Sequence, residues 1–209
     1  MFPHSSFYVL FFHKFSTHHQ ALTMDVPLIM DVPLTMDVPT QPNPETPQIL
    51  SSILPQSSLC YSEDTKCLIC DHLFSLLTNY PTLKPGTNTM IYKISRRSAF
   101  DIVQADGTIP MTYKAVTYHT PIVILLLESY PRHPPLVYLN PPPYLKIKHH
   151  HPYVSSSGLV TVPYLQNWIY PTSNLVDLAL DLSLTFGREP PLFSNPNPNP
   201  NPTRGCIIM

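Results

Sequence analysis

Cysteine and histidine are the residues in this 209-residue chain with the widest chemical range, and their spacing limits what they can do. Cys67-x-x-Cys70 has the spacing of half a zinc site, but no second cysteine pair follows it. It also lies in an apolar helical pattern, where residues three apart simply share a face. Cys60 and Cys206 complete the set of four, at uneven spacings unlike the disulfide framework of a small secreted protein. No cysteine occurs between residues 71 and 205, so the middle of the chain has no thiol nucleophile. Consecutive side chains in an extended loop point different ways, and no carboxylate or cysteine is near His149-His150-His151 in sequence. That run reads as a solvated loop, and no metal or other cofactor is expected. The last four residues, Cys206-Ile207-Ile208-Met209, fit a prenylation signal with farnesyl preferred, or mark only where the chain stops.

The elements that must position any site are punctuated by proline, with 27 prolines against 5 glycines. Three copies of Met-Asp-Val-Pro begin at Met24, Met30 and Met36; a proline every six residues forbids helix and spoils a sheet ladder. With the Pro-, Ser- and Gln-rich stretch that follows, residues 1–57 read as a disordered leader. Residues 195–209 read as an extended Asn-Pro tail carrying the Cys206 terminus. The foldable part is then 58–194. Ser62 can cap a helix whose Leu68, Ile69, Leu73, Leu76 and Leu77 keep helical spacing, ended by Pro81 and Pro85-Gly86. Alternating stretches at Met90–Ile94, Ala99–Val103, Thr117–Leu127 and Leu136–Leu139 follow, with turn signals at Arg96-Arg97-Ser98 and Asp106-Gly107. After a long Pro- and His-rich loop, Leu175, Leu178, Ala179, Leu182 and Phe186 return to helical spacing. The order predicts an α+β domain: an antiparallel meander with its helices outside the sheet.

Charged residues make up 12% of the chain and the net charge is -1, so there is no basic footprint for nucleic acid. The apolar run Phe7–Phe12 lacks a charged region before it, and no run approaches the roughly 20 apolar residues of a membrane span. A soluble protein of a reducing compartment is expected.

Tyr130-Pro131-Arg132-His133-Pro134-Pro135, then His151-Pro152, then Gly158-Leu159-Val160-Thr161-Val162 and Trp168 resemble, in order and spacing, elements of ubiquitin-conjugating enzymes. The resemblance implies their fold and places the catalytic cysteine at or next to 161, where this chain has Thr161. A thiol with pKa about 8.5 can carry ubiquitin as a thioester, whereas a threonine hydroxyl is far less acidic. His151 is the nearest candidate base, in a loop whose role in that family is structural. The chain therefore reads as a non-enzyme.

Ala105–Pro110, Thr117–Pro121, Glu128–Pro135 and Ser157–Phe193 are more closely similar to the ubiquitin-conjugating-enzyme variant (UEV) domain of the tumour-susceptibility/ELCH subunit of ESCRT-I, in its plant form. That resemblance implies two surfaces. One takes Pro-Thr/Ser-Ala-Pro peptides, at the positions of Thr108, Tyr113, Tyr118, His119, Pro142, Leu145, Pro190, Leu192, Phe193 and Ser194. An extended proline-rich peptide loses little entropy on docking, and aromatic walls match proline faces. His119 stands where asparagine is usual and Leu145 where methionine is common.

The second surface takes ubiquitin, through a tongue at Ser95, Arg96 and Arg97 and a sheet patch at Leu125, Tyr138 and Asn140. Arg96 replaces an acid of the family tongue, turning attraction into repulsion, so ubiquitin binding is expected to be weakened. The implied role is a non-catalytic adaptor of endosomal and vacuolar sorting, in the cytoplasm and at endosomes, that meets proline-rich motifs, ubiquitinated cargo and ESCRT-I subunits. Membrane attachment is expected only if Cys206 is prenylated. The alternatives are a truncated paralogue that keeps the fold but binds little, and an active conjugating enzyme, which Thr161 opposes.

Overall fold

The computed structural model describes residues 45–91 and 99–196. The first element, α1 (Thr46–Ile53), lies in the stretch assigned above to the disordered leader, and that boundary is corrected. Pro47 sits in the first turn, where a missing N–H costs nothing, and Pro55 falls just beyond the end. The prolines thus bracket a two-turn helix instead of preventing one. Thr46, Leu50, Ile53 and Leu54 are buried on one face, against β1 and α2.

The second helix, α2 (Glu63–Asn79), starts where expected: the Ser62 hydroxyl accepts the Thr65 N–H at 3.3 Å, and Glu63 and Asp64 occupy its positive first turn. Its stripe of Ile69, Leu73, Leu76 and Leu77 is buried. Four strands follow as an antiparallel meander in spatial order β1-β2-β3-β4: β1 (Lys84–Ile91), β2 (Ala99–Tyr113), β3 (Val116–Leu126) and β4 (Leu136–Leu139). Further on, β5 (Leu145–Ile147) pairs with β6 (Leu192–Ser194) as a separate ribbon. Between them lie α3 (Pro163–Gln166) and α4 (Leu175–Arg188). Asn174 caps α4, its side-chain oxygen accepting the Asp177 N–H at 2.9 Å. The α+β meander expected from the sequence is what forms.

One turn signal proves to be something else. Asp106-Gly107 sits inside β2, which runs on to Tyr113, and the chain reverses at Lys114-Ala115 with φ of 48° and 62°. Two residues with positive φ are what a tight hairpin needs, although neither is Gly, Asn or Asp, so no local signal marks the turn. Gly107 has a different reason to be glycine: a Cβ there would lie 2.2 Å from the Thr82 carbonyl oxygen.

Register divides the sheet into two faces. Val103, Ala105, Ile109 and Met111 of β2 share one with Thr120, Ile122, Ile124 and Leu126 of β3 and Val137 and Leu139 of β4, and all are buried. Onto β2 packs α4, whose buried stripe is Leu175, Leu178, Ala179, Leu182 and Phe186, with α2 beside it. The Tyr130-Pro131 element closes this core from the side. Its Tyr130 hydroxyl meets His72 Nδ1 at 2.5 Å, and the Trp168 indole N–H donates to the Pro131 carbonyl at 2.8 Å. Burial pushes the Tyr130 phenol far above its ordinary pKa, so it stays protonated and donates to His72.

Candidate peptide site

The sheet stops short of the β2–β3 hairpin. Pairing with β1 ends at Lys84↔Asp106 and pairing with β4 at Ile122↔Leu139, so residues 107–121 form a two-stranded ribbon beyond both neighbours. Two hydrogen bonds fix which way each backbone group in it faces. The Thr82 hydroxyl donates to the Thr108 carbonyl on the β1 side, and the Asn140 N–H donates to the Pro121 carbonyl on the β4 side at 3.2 Å. Antiparallel ladders alternate, so Pro110 points its missing N–H toward the β1 side, where no strand needs it. By the same alternation the His119 N–H and C=O face the β4 side, past the end of β4, at an open strand edge.

The chain passes directly from this edge to the second part of the site. Asn140 leads into Pro141-Pro142-Pro143, and the Leu145 N–H donates to the Pro142 carbonyl at 2.9 Å to enter β5. Asn195 ties the end of β6 back to that run, its backbone N–H to the Tyr144 carbonyl and its side chain to the Pro143 carbonyl, both at 2.8 Å. The ribbon sets Leu145 opposite Ser194 and Lys146 opposite Phe193. Leu145, Phe193, Pro141, Ile147 and Val154 line a cleft of about 580 Å³, whose rim carries Lys146, Lys148, His149 and His150. This basic rim was not anticipated as part of a site. His149 and His150 are both exposed, as a solvated loop requires, with His150 at φ 55°.

The ten positions expected for peptide binding are therefore distributed, not collected on one face. Register puts Thr108 and His119 on the sheet face away from the helices, and Tyr113 and Tyr118 on the helix side, so the four flank the open edge from both sides. Tyr118 is half-buried against the core, and Lys114 Nζ lies 5.4 Å from the centre of the Tyr113 ring. Pro142, Leu145, Pro190, Phe193 and Ser194 belong to the ribbon and its approaches. Leu192 is corrected: at 3% exposed it anchors β6 into the core and offers no surface.

Two groups hold these halves in place. Gly187 of α4 lies so close to the hairpin that a Cβ would sit 2.7 Å from the Thr112 carbonyl. His151, buried, accepts the Tyr153 N–H at Nδ1 (3.2 Å), which leaves its ring proton on Nε2, donated to the Glu189 carbonyl at 3.0 Å. Its ring also meets Phe186 edge-on at a centroid distance of 6.1 Å. His151 thus pins the exit of α4 to the loop after β5. An exposed ion pair, Lys148 to Glu189 at 2.9 Å, spans the same seam and holds the Glu189 carboxyl below the usual range.

Thr161 is exposed. Its N–H donates to the Tyr153 carbonyl at 2.8 Å, and its carbonyl accepts from the Gln166 amide at 2.8 Å. With both His151 ring nitrogens engaged by backbone, that histidine is not free to take a proton from the threonine.

Of the residues expected to contact ubiquitin, register puts Leu125, Tyr138 and Asn140 on one sheet face. Leu125 is corrected, being 1% exposed and so part of the core, and Tyr138 shows 9% of its surface. Only Asn140 is open to solvent. Ser95, Arg96, Arg97 and Cys206 lie outside the described residues, as do residues 1–44 with their repeat. Cys60, Cys67 and Cys70 are free thiols, with burial raising the pKa of Cys60 and Cys70. No group of three or more His, Cys, Asp or Glu among the described residues is placed to hold a metal ion. No described helix is long and apolar enough to cross a membrane.

Residues 56–194 match the model of one protein family, described as the UEV domain. Protein ELC of Arabidopsis thaliana is 52% identical over 160 residues, covering 73% of this chain and 40% of that protein. The human tumor susceptibility gene 101 protein is 34% identical over 122 residues, 58% of this chain and 30% of that one. The chain thus spans two fifths or less of the length of these relatives. Among solved structures, the yeast vps23 UEV domain in complex with a vps27 PSDP peptide superimposes with a TM-score of 0.54 at 20% identity, over 66% of this chain and 90% of that one. A complex of the Vps23 UEV with ubiquitin gives 0.51 at 20% identity, over 71% and 98%.

Proposed function

The chain belongs to the UEV domain family, and from that premise we propose that it is a non-catalytic adaptor of ESCRT-I-type endosomal sorting that binds short proline-rich peptides and, more weakly, ubiquitin. The observation that carries the reading is the open β3 edge at His119, continued through Pro141–Pro143 into the cleft of Leu145 and Phe193. A peptide laid along that path finds backbone donor and acceptor groups at one end and apolar walls at the other. Those are the two things an extended Pro-Thr/Ser-x-Pro segment requires. The yeast domain bound to a PSDP peptide supports the class of ligand, and the one bound to ubiquitin supports the second partner.

Thr161 at the position of the catalytic cysteine, with His151 engaged elsewhere, supports the absence of ubiquitin transfer. Ubiquitin affinity is lowered by Arg96 in the tongue and by the burial of Leu125, which leave Asn140 and the edge of Tyr138 as the contact patch. Function at the endosome follows from these partners.

The test runs two ligands side by side on the full chain. A Pro-Thr-Ala-Pro peptide is expected to bind and to lose at least about tenfold in affinity with Phe193→Ala. Ubiquitin is expected to bind more weakly than the peptide. Incubation with activating enzyme, ATP and ubiquitin is expected to give no reducible adduct. A reducible adduct that survives replacement of Cys60, Cys67, Cys70 and Cys206 would overturn the adaptor reading in favour of an enzyme, and failure of the peptide to bind would remove its main surface.

A further inference from the structure

Pro39-Thr40-Gln41-Pro42 is the only Pro-Thr/Ser-x-Pro sequence in the 209 residues, and it stands three residues before the first described residue, Glu45. It shares its plan with the Pro-Ser-Asp-Pro peptide bound to the yeast UEV domain: prolines first and fourth, a hydroxyl second, a polar residue third. In a polyproline II helix, with three residues per turn, Pro39 and Pro42 fall on the same edge and can meet one apolar wall together. From this match we infer that the leader of one chain docks in the peptide groove of a second copy, so that the protein caps its own groove in trans. The inference rests on the peptide-binding reading above.

Charge agrees with this occupant. Residues 15–45 contain Asp25, Asp31, Asp37 and Glu45 and no lysine or arginine, with Asp37 two residues ahead of the motif and Glu45 three behind it. The cleft they would approach is rimmed by Lys146 and by Lys148, the second already paired with Glu189. Opposite charges flanking an apolar contact speed encounter and fix direction more than they add affinity.

Reach decides between the same chain and another. Pro42 is tethered four residues from Thr46, the first residue of α1, a span of about 14 Å when extended. That helix packs on β1 and α2, while the open edge belongs to β3, two strands away. Two strand spacings are about 10 Å, and Val123, which aligns with the near end of β1 through Asp106, lies four residues, about 13 Å, from His119. Even the near end of β1 is thus about 16 Å from the groove edge. A tether of about 14 Å falls short of this while α1 stays docked through its buried Leu50 and Ile53. A neighbouring chain has no such constraint.

The test uses the full chain and two variants, one without the motif (Pro39→Ala with Pro42→Ala, outside the described residues) and one without a groove wall (Phe193→Ala). Sedimentation across roughly 1 µM to 1 mM and titration with a labelled Pro-Ser-Asp-Pro peptide are the readouts. The expected result is that the mass of the unaltered chain rises with concentration, while each variant alone stays monomeric. An equimolar mixture of the two variants should then associate one to one, because one supplies the groove and the other the motif. The peptide should dissociate the unaltered assembly. An unaltered chain that stays monomeric at every concentration yet binds the peptide would overturn the inference and leave the peptide groove standing. A monomer that binds the peptide at least threefold more tightly once the motif is removed would also overturn it, in favour of docking within one chain. Failure of the peptide to bind any form would defeat the groove reading itself.

Discussion

Replacing His151 with phenylalanine tests whether a residue that touches no ligand sets the shape of the groove. The substitution keeps a ring of similar size against Tyr153 and Phe186 and removes both nitrogens. It orphans the Tyr153 N–H, held at 3.2 Å, and the Glu189 carbonyl, held at 3.0 Å. A buried polar group left without its partner costs about 1–3 kcal/mol, and both residues are only partly buried, so the sum should be about 2–3 kcal/mol. In a domain of this size that lowers the melting temperature by about 5–10 °C, readable by calorimetry or circular dichroism. Glu189 immediately precedes the segment carrying Pro190, Leu192 and Phe193, so loosening it lets the β5–β6 ribbon shift against the hairpin. The affinity for a Pro-Thr-Ala-Pro peptide, measured well below the transition, should therefore fall by about threefold to tenfold, on the order of 1 kcal/mol. A melting temperature changed by less than about 1 °C would refute the hydrogen-bond accounting. A large loss of stability with peptide affinity intact would refute the positioning role alone.

Three further outcomes are expected. Ser95→Asn with Arg96→Asp should strengthen ubiquitin binding in a titration and leave peptide affinity unchanged; no gain would mean that the tongue is misassigned. Gly107→Ala, whose new Cβ would meet the Thr82 carbonyl oxygen at 2.2 Å, should cost about 3–5 kcal/mol in chemical denaturation, and a cost under about 1 kcal/mol would show that the β1 approach yields easily. Cys206→Ser should abolish any mass addition at the C-terminal peptide in plant cells and any weak membrane association; identical masses and fractionation of the two forms would reduce the motif to coincidence.

Local chemistry in the sequence was enough for α2, α4 and the class of fold. Ser62 and Asn174 announce helix starts because a short polar side chain satisfies a free N–H wherever it occurs. The stripes of α2 and α4 announce buried faces because helical geometry repeats without reference to the rest of the chain. That residue 161 is a threonine and that no cysteine lies between 71 and 205 was equally legible, since each is read directly from the residues. What the sequence could not show was everything that depends on a distant neighbour. Pro47 and Pro55 looked like a disordered stretch until the core offered a place for Leu50, Ile53 and Leu54. Asp106-Gly107 looked like a turn, while the turn itself fell on Lys114-Ala115, because β2–β3 pairing over eleven rungs determines where the chain reverses and Thr82 determines where glycine is needed. Leu125 and Leu192 sat among surface candidates until packing put them inside. His151, recognisable only as part of a His-Pro pair, acquired its partners from Tyr153 and Glu189, the second of them 38 residues away. The open edge at His119 exists because β1 and β4 end before the hairpin does. The termination of pairing belongs to the assembled sheet, where each strand's usable length is set by its neighbours, and no single stretch of residues encodes it.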